Sequence, residues 1–413
     1  MYRFTAKARL EKEWSGFSDV LRYRRFLGEY WSLMGRWVIV AACLVYGFSL
    51  LAVIGTDPRP FPIVDRFPQV AIPKDTEQLI GMSLNVYHAE PFTLYLKALD
   101  QIAETGFNSV QVVTPMFQRD GSASQIELLR GPGRGPSRQQ LVTILRRAQS
   151  LGLRTCFMPQ VNFTEPRGNE WRGKIQPDQW SAWWSSYEVA IEYFLGIAID
   201  VGTDLFSVGC ELLSTQKPEH LSRWQALIAK SRKSFNGHLI YSTNWDAYDK
   251  VGFWRSLDAI GISGYWDLTT HAADRDNPTD RDLQARWHQI IDQVLAFAES
   301  QRRPVLLSEL GYPCLPWALK DPWNYVPVGN MTADEKIQWR GLKSFLDAWR
   351  ELIVPPQTEP TIQNRDRRIL GVLFYEWDVY HRGDDQDTGY GIRGKSSHQL
   401  LKSWIGIPEE SGS

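Results

Sequence analysis

From about residue 79 onward, short apolar runs recur along the chain, each followed by a longer stretch whose apolar positions fall three and four residues apart. Short uninterrupted apolar runs mark strands covered on both faces, and the longer stretches mark amphipathic helices. Strands are predicted over 79–87, 109–114, 154–161, 205–211, 239–243, 259–265, 304–309 and 369–377, and helices over 91–104, 137–150, 180–201, 221–235, 281–300 and 333–352. Eight strands alternating with helices in one continuous stretch predict an α/β fold, a single (β/α)8 TIM barrel over about 77–405.

Two of the runs stop on a carboxylate. Leu205-Phe206-Ser207-Val208-Gly209-Cys210 leads to Glu211, and Pro304-Val305-Leu306-Leu307-Ser308 leads to Glu309, at the ends of the predicted fourth and seventh strands. In a parallel barrel those ends form the open mouth where the chemistry is done. Either glutamate alone fits a solvated strand end. The pair, at the mouth of one barrel, points to acid/base work.

The pattern differs upstream. Residues 37–54 carry no charge and are long enough to cross a bilayer, and they start too far into the chain for an ordinary signal peptide. Eight basic residues against four acidic ones precede the run, so the positive-inside rule predicts a cytoplasmic segment 1–36, a single transmembrane helix 37–54 and an extracytoplasmic catalytic domain. Five prolines in 55–76 suit a stiff spacer between membrane and barrel. The expected location is the cell membrane, single-pass.

A net charge of −1 and a pI near 6.7 provide no basic field for nucleic acid. The 18 Trp, 16 Tyr and 18 Phe residues could stack on sugar rings or fill a core. The cysteines show no pairing pattern and the histidines no His-Glu-x-x-His, so no metal or cofactor is expected. The aspartates 378, 384, 385 and 387 lack EF-hand spacing and read as a solvated loop. The Gly131–Pro136 run carries prolines where a phosphate cradle needs N–H donors. One spanning segment excludes a transporter or channel, and the absence of a Gly-x-Ser-x-Gly elbow argues against an esterase.

An ordered set of segments carries a resemblance: Glu170-Trp171-Arg172-Gly173, Trp180 to Tyr187, Val208-Gly209-Cys210-Glu211-Leu212, Trp224 to Arg232, Phe253-Trp254, Leu257-Asp258-Ala259-Ile260-Gly261 and Ser308-Glu309-Leu310-Gly311-Tyr312. With these the chain resembles glycoside hydrolase family 113, known chiefly for β-1,4-mannanases, within the clan of retaining (β/α)8 glycosidases. The resemblance implies Glu211 as acid/base, its proton held by a raised pKa, and Glu309 as the ionised nucleophile, about 5 Å apart for a double displacement. It further implies Tyr265 as a hydrogen-bond partner of Glu309 and Trp377 as an aromatic platform under the sugar.

His88, Asn162, Trp171, Arg172 and Trp245 are weaker substrate-binding candidates at strand ends, as are Tyr87, Asn244 and Asp246. One position departs from the wider clan, which usually has asparagine before the acid/base where this chain has Cys210. A thiol is a poor hydrogen-bonding group for a sugar 2-hydroxyl, which puts mannan specificity in question. The expected partner is an oligo- or polysaccharide, and the alternative reading is a catalytically silent glycan-binding barrel.

Overall fold

The computed structural model describes residues 78–269, 278–353 and 368–406. The segments predicted as cytoplasmic, transmembrane and linker lie outside the described residues. Among the described residues no helix is long and apolar enough to cross a membrane.

Eight parallel strands close into a barrel in sequence order, with β8 hydrogen-bonded back to β1. They are β1 (Leu79–Asn85), β2 (Ser109–Gln118), β3 (Arg154–Phe163), β4 (Leu205–Cys210), β5 (His238–Asn244), β6 (Ala259–Ser263), β7 (Val305–Leu310) and β8 (Ile369–Phe374). Outside them lie α1 (Phe92–Glu104), α2 (Arg138–Ser150), α3 (Trp180–Val201), α4 (Leu221–Arg232), α5 (Asp280–Gln301), α6 (Glu335–Trp349) and α7 (Ser396–Ile405). Between β5 and β6 two 3-10 turns, Tyr248–Lys250 and Trp254–Ser256, stand in for a helix. The predicted strands all fall on observed ones. The short helix α7 was not predicted.

Local chemistry starts the helices where they start. Ser137 opens α2 with a reciprocal capping box to Gln140, Thr279 opens α5 in the same way with Asp282, and Asp334 caps α6. Gly202 ends α3 in the left-handed conformation that glycine adopts without steric cost.

The barrel interior is layered. Leu79, Cys156, Leu205, Ile240, Ala259, Leu306 and Leu373 fill its lower end. Above them sits a buried polar layer that satisfies itself. Gln111 Nε2 donates to Ser83 Oγ at 3.0 Å and across the barrel to the Ser308 carbonyl at 2.9 Å, and the Ser242 and Ser308 hydroxyls are 2.6 Å apart. These bonds tie β1, β2, β5 and β7 together directly beneath the mouth.

The aromatic excess goes mostly into packing. Trp183, Trp184 and Tyr187 of α3, Trp224 of α4, Tyr241 of β5 and Phe253 form one buried cluster of edge-on and stacked rings. Their polar tips are used too. The Tyr187 hydroxyl donates to the Val208 carbonyl at 2.7 Å, and the Tyr241 hydroxyl accepts from the Leu212 N–H at 3.0 Å. Both contacts flank Glu211, so this cluster clamps the end of β4.

Candidate active site

Glu211 and Glu309 reach the mouth through irregularities in their strands. The register between β4 and β5 shifts between Ser207 and Cys210, and that between β7 and β8 shifts between Leu307 and Leu310. Each bulge re-aims a side chain that strict alternation would direct elsewhere. Glu211 also has φ of +55°, a left-handed conformation that costs a non-glycine residue energy and is held by its N–H bond to the Ser242 carbonyl at 2.8 Å. Strain of this kind concentrates at functional sites.

Both carboxyls line one cleft of about 1240 Å3, more than the ~300–1,000 Å3 of typical small-molecule sites and enough for several sugar rings. They are 7% and 4% exposed. The Tyr265 hydroxyl donates to Glu309 Oε2 at 2.7 Å, while Glu309 Oε1 is buried without a partner among the described residues. One oxygen is thus anchored and the other is left without a hydrogen bond among the described residues.

Arg172 comes from the short turn after β3. Its Nε donates to the Val161 carbonyl at 3.1 Å, its Nη2 to Asn162 Oδ1 at 3.4 Å, and its Nη1 to Glu211 Oε2 at 2.8 Å. The guanidinium is therefore an ion-pair partner of Glu211.

Burial, then the charge of Glu211, pushes the Glu309 carboxyl up to about 8, against the Tyr265 hydrogen bond and Arg172, which hold it down. Glu211 is ion-paired with Arg172, whereas Glu309 makes no ion pair among the described residues.

Trp377 lines the cleft, is 1% exposed and packs in a T-shaped contact on His398, with its indole Nε1 buried and unpartnered among the described residues. Tyr375, two residues earlier, lines the cleft as well, in edge contact with Tyr265 and Tyr390. The remaining candidates, His88, Asn162, Trp171 and Trp245, line the cleft with Tyr87, Asn244 and Asp246. Trp245 is half-buried and packs its edge on Tyr265.

Cys210 is buried among Val113, Met158 and Tyr87. Burial, with the nearby glutamates, keeps its thiol well above the usual thiol range and therefore neutral. Gln160 of β3 donates to its sulfur at 3.4 Å and accepts from the Tyr87 hydroxyl at 2.7 Å. An amide thus stands beside the position where the wider clan carries asparagine.

Other cleft residues escaped the sequence reading: Asn85, Gln160, Tyr375, Glu376 and Tyr390 at the floor, and the exposed rings of Trp323, Tyr325 and Tyr380 at the rim. The acidic loop after β8 is internally bonded. Asp378 accepts from the Tyr380 and His381 backbone, and Asp387 pairs with the buried Lys395 at 3.1 Å.

Comparisons with known proteins agree with the fold. Among solved structures, a glycoside hydrolase family 113 β-mannanase from Alicyclobacillus acidocaldarius aligns with a TM-score of 0.66 at 22% identity, over 80% of this chain and 98% of that one. A second family 113 β-1,4-mannanase aligns with a TM-score of 0.66 at 21% identity, over 81% of this chain and all of that one. A subfamily 5_18 glycoside hydrolase from Streptomyces cattleya, solved with Manβ1-4GlcNAc, aligns at 13% identity over 82% of each chain with a TM-score of 0.51. No curated protein sequence matches. Residues 94–351, more than half of the chain, match the model of Glycoside Hydrolase Family 113. The chain belongs to that family and is a glycoside hydrolase.

Proposed function

We propose that the protein is a retaining hydrolase of β-linked glycans, of β-1,4-mannan type, with Glu309 as nucleophile and Glu211 as acid/base. The observation that carries this reading is the asymmetry of Glu309, a carboxyl that lines the cleft with one oxygen fixed by Tyr265 and the other buried and unpartnered. A nucleophile needs that arrangement, a held carboxylate with a free lone pair toward the anomeric carbon.

Glu211 then protonates the leaving oxygen, and after the glycosyl-enzyme forms it takes a proton from the attacking water. In the resting site burial favours the protonated form of Glu309, while Arg172 pairs with Glu211. A sugar entering the cleft displaces Arg172 from Glu211 and lets the proton move there, leaving Glu309 ionised for attack. Tyr265 stabilises that ionised form by its hydrogen bond.

The protein is further proposed to be tethered by residues 37–54 with its barrel outside the cytoplasmic membrane, a reading supported by the uncharged run and the basic excess before it. The test is hydrolysis of β-mannan, β-glucan and xylan oligosaccharides by the full chain beside Glu211→Ala and Glu309→Ala. Turnover of mannan fragments, lost in both variants and giving the β anomer first by NMR, supports the reading. A first-formed α anomer overturns the mechanism, and turnover of another class alone overturns the substrate. Release of the protein from membranes by alkaline carbonate overturns the anchor.

A further inference from the structure

Glu376 is a further carboxyl in the cleft, and the mechanism does not use it. It follows β8, which lies between β7, the strand of Glu309, and β1, the strand of Asn85. Asn85 Nδ2 donates to Glu376 Oε2 and also, at 2.8 Å, to the Tyr375 hydroxyl. Both N–H groups of that amide are therefore spent. The Asn85 Oδ1 atom is buried without a hydrogen-bond partner among the described residues. Glu376 makes no ion pair within 4 Å among the described residues, and burial, then the charge of Asp378, raises its carboxyl to about 8 against the Asn85 hydrogen bond and the charge of Lys395.

This corner of the cleft thus offers acceptor oxygens, from Glu376 and from Asn85, beside the unpartnered Trp377 indole N–H. Its complement is a ligand that brings hydrogen-bonding groups, and a sugar ring brings hydroxyls, each with an O–H to give and lone pairs to accept. The side of the cleft is set by strand order. The sugar whose anomeric carbon is attacked by Glu309 lies over β7, so its ring hydroxyls are the ones that the neighbouring residue after β8 can reach. A buried carboxyl with no direct ion pair is poorly compensated until such donors arrive.

We propose that Glu376, held in place by Asn85, is a specificity determinant that accepts hydrogen bonds from hydroxyl groups of the sugar undergoing attack at Glu309. This rests on the hydrolase and mannan readings above. It assigns substrate recognition to a residue outside the acid/base pair.

The experiment uses the full chain with a 4-nitrophenyl β-mannotrioside and three analogues, each lacking one hydroxyl (C2, C3 or C6) on the ring that carries the nitrophenyl group. Glu376→Ala should lower kcat/KM on the parent trioside about 10–100-fold, the cost of leaving a buried substrate hydroxyl without its partner. On one deoxy analogue the parent enzyme should lose a similar factor, and there Glu376→Ala should cost little more. Glu376→Gln, which keeps an oxygen for Asn85, should fall between. An equal loss in Glu376→Ala on all four compounds, or an equal drop in thermal midpoint and activity for both variants, overturns the assignment and leaves hydrolysis intact. Faster turnover by the parent enzyme of a monoamino analogue than of the trioside overturns hydroxyl recognition in favour of an ammonium group. Failure of the parent enzyme to cleave the trioside overturns the mannan reading and this assignment together.

Discussion

Replacing Glu309 by glutamine should abolish hydrolysis and, at high pH only, stabilise the fold. The carboxyl titrates at about 8 in the folded protein against an ordinary 4.5. The sign follows from linkage: the unfolded chain releases the proton first, so folding loses stability as pH rises from about 4.5 and the loss is complete above about 8. At about 1.4 kcal/mol per tenfold change in proton activity, the span amounts to roughly 5 kcal/mol. Part of that cost comes from the charge of Glu211 and is relieved where Arg172 screens it. Glutamine keeps the shape and still accepts from Tyr265, but it leaves an amide N–H2 to be satisfied, which takes back about 1–3 kcal/mol. The net expectation is that Glu309→Gln is destabilised or neutral at pH 5 and more stable than the parent by about 2 kcal/mol at pH 9. Thermal or urea unfolding of the two proteins at both pH values measures this. A difference between them that stays the same from pH 5 to pH 9 would refute the claim that burial raises this carboxyl.

The Arg172→Met change removes a cation that holds Glu309 down, so the basic limb of kcat/KM, expected near 8 in the parent, should move to higher pH; an unmoved limb would break the assignment. Tyr265→Phe removes the bond that stabilises ionised Glu309 and should lower kcat about 10–100-fold with little change in KM. Alanine at Trp323 or Tyr325, both exposed at the cleft rim, should leave the thermal midpoint unchanged but raise KM for long oligosaccharides more than for short ones. Gly371→Ala should prevent stable barrel closure, at a cost above about 3 kcal/mol, because φ is +150° and an added Cβ would lie 2.0 Å from the Leu79 carbonyl oxygen across the β1–β8 seam; soluble expression and circular dichroism would show it.

The barrel was legible because its strands are covered on both faces and so read as apolar runs, and because a residue that ends such a run lies at the mouth. Glu211, Glu309 and Tyr265 could be placed on that ground alone. The resemblance, carried by short segments around the same strand ends, pointed to the family that the comparison shows.

What the linear pattern could not carry was direction after a strand ends. Strict alternation stops at Phe374, so whether Tyr375, Glu376 or Trp377 faces the cleft is decided by how the following loop packs, and the structure buries Trp377 against His398. Nor could it carry pairings between distant segments. Arg172 meets Glu211 across 39 residues, Asn85 meets Glu376 across 291, and the ring cluster from α3 to Phe253 clamps Glu211 in its left-handed conformation. The sequence by itself determined which groups reach the mouth, because burial and strand period act locally. Which of them are charged, paired or free for a substrate was decided by tertiary structure alone, because electrostatics and desolvation depend on neighbours brought together only by folding.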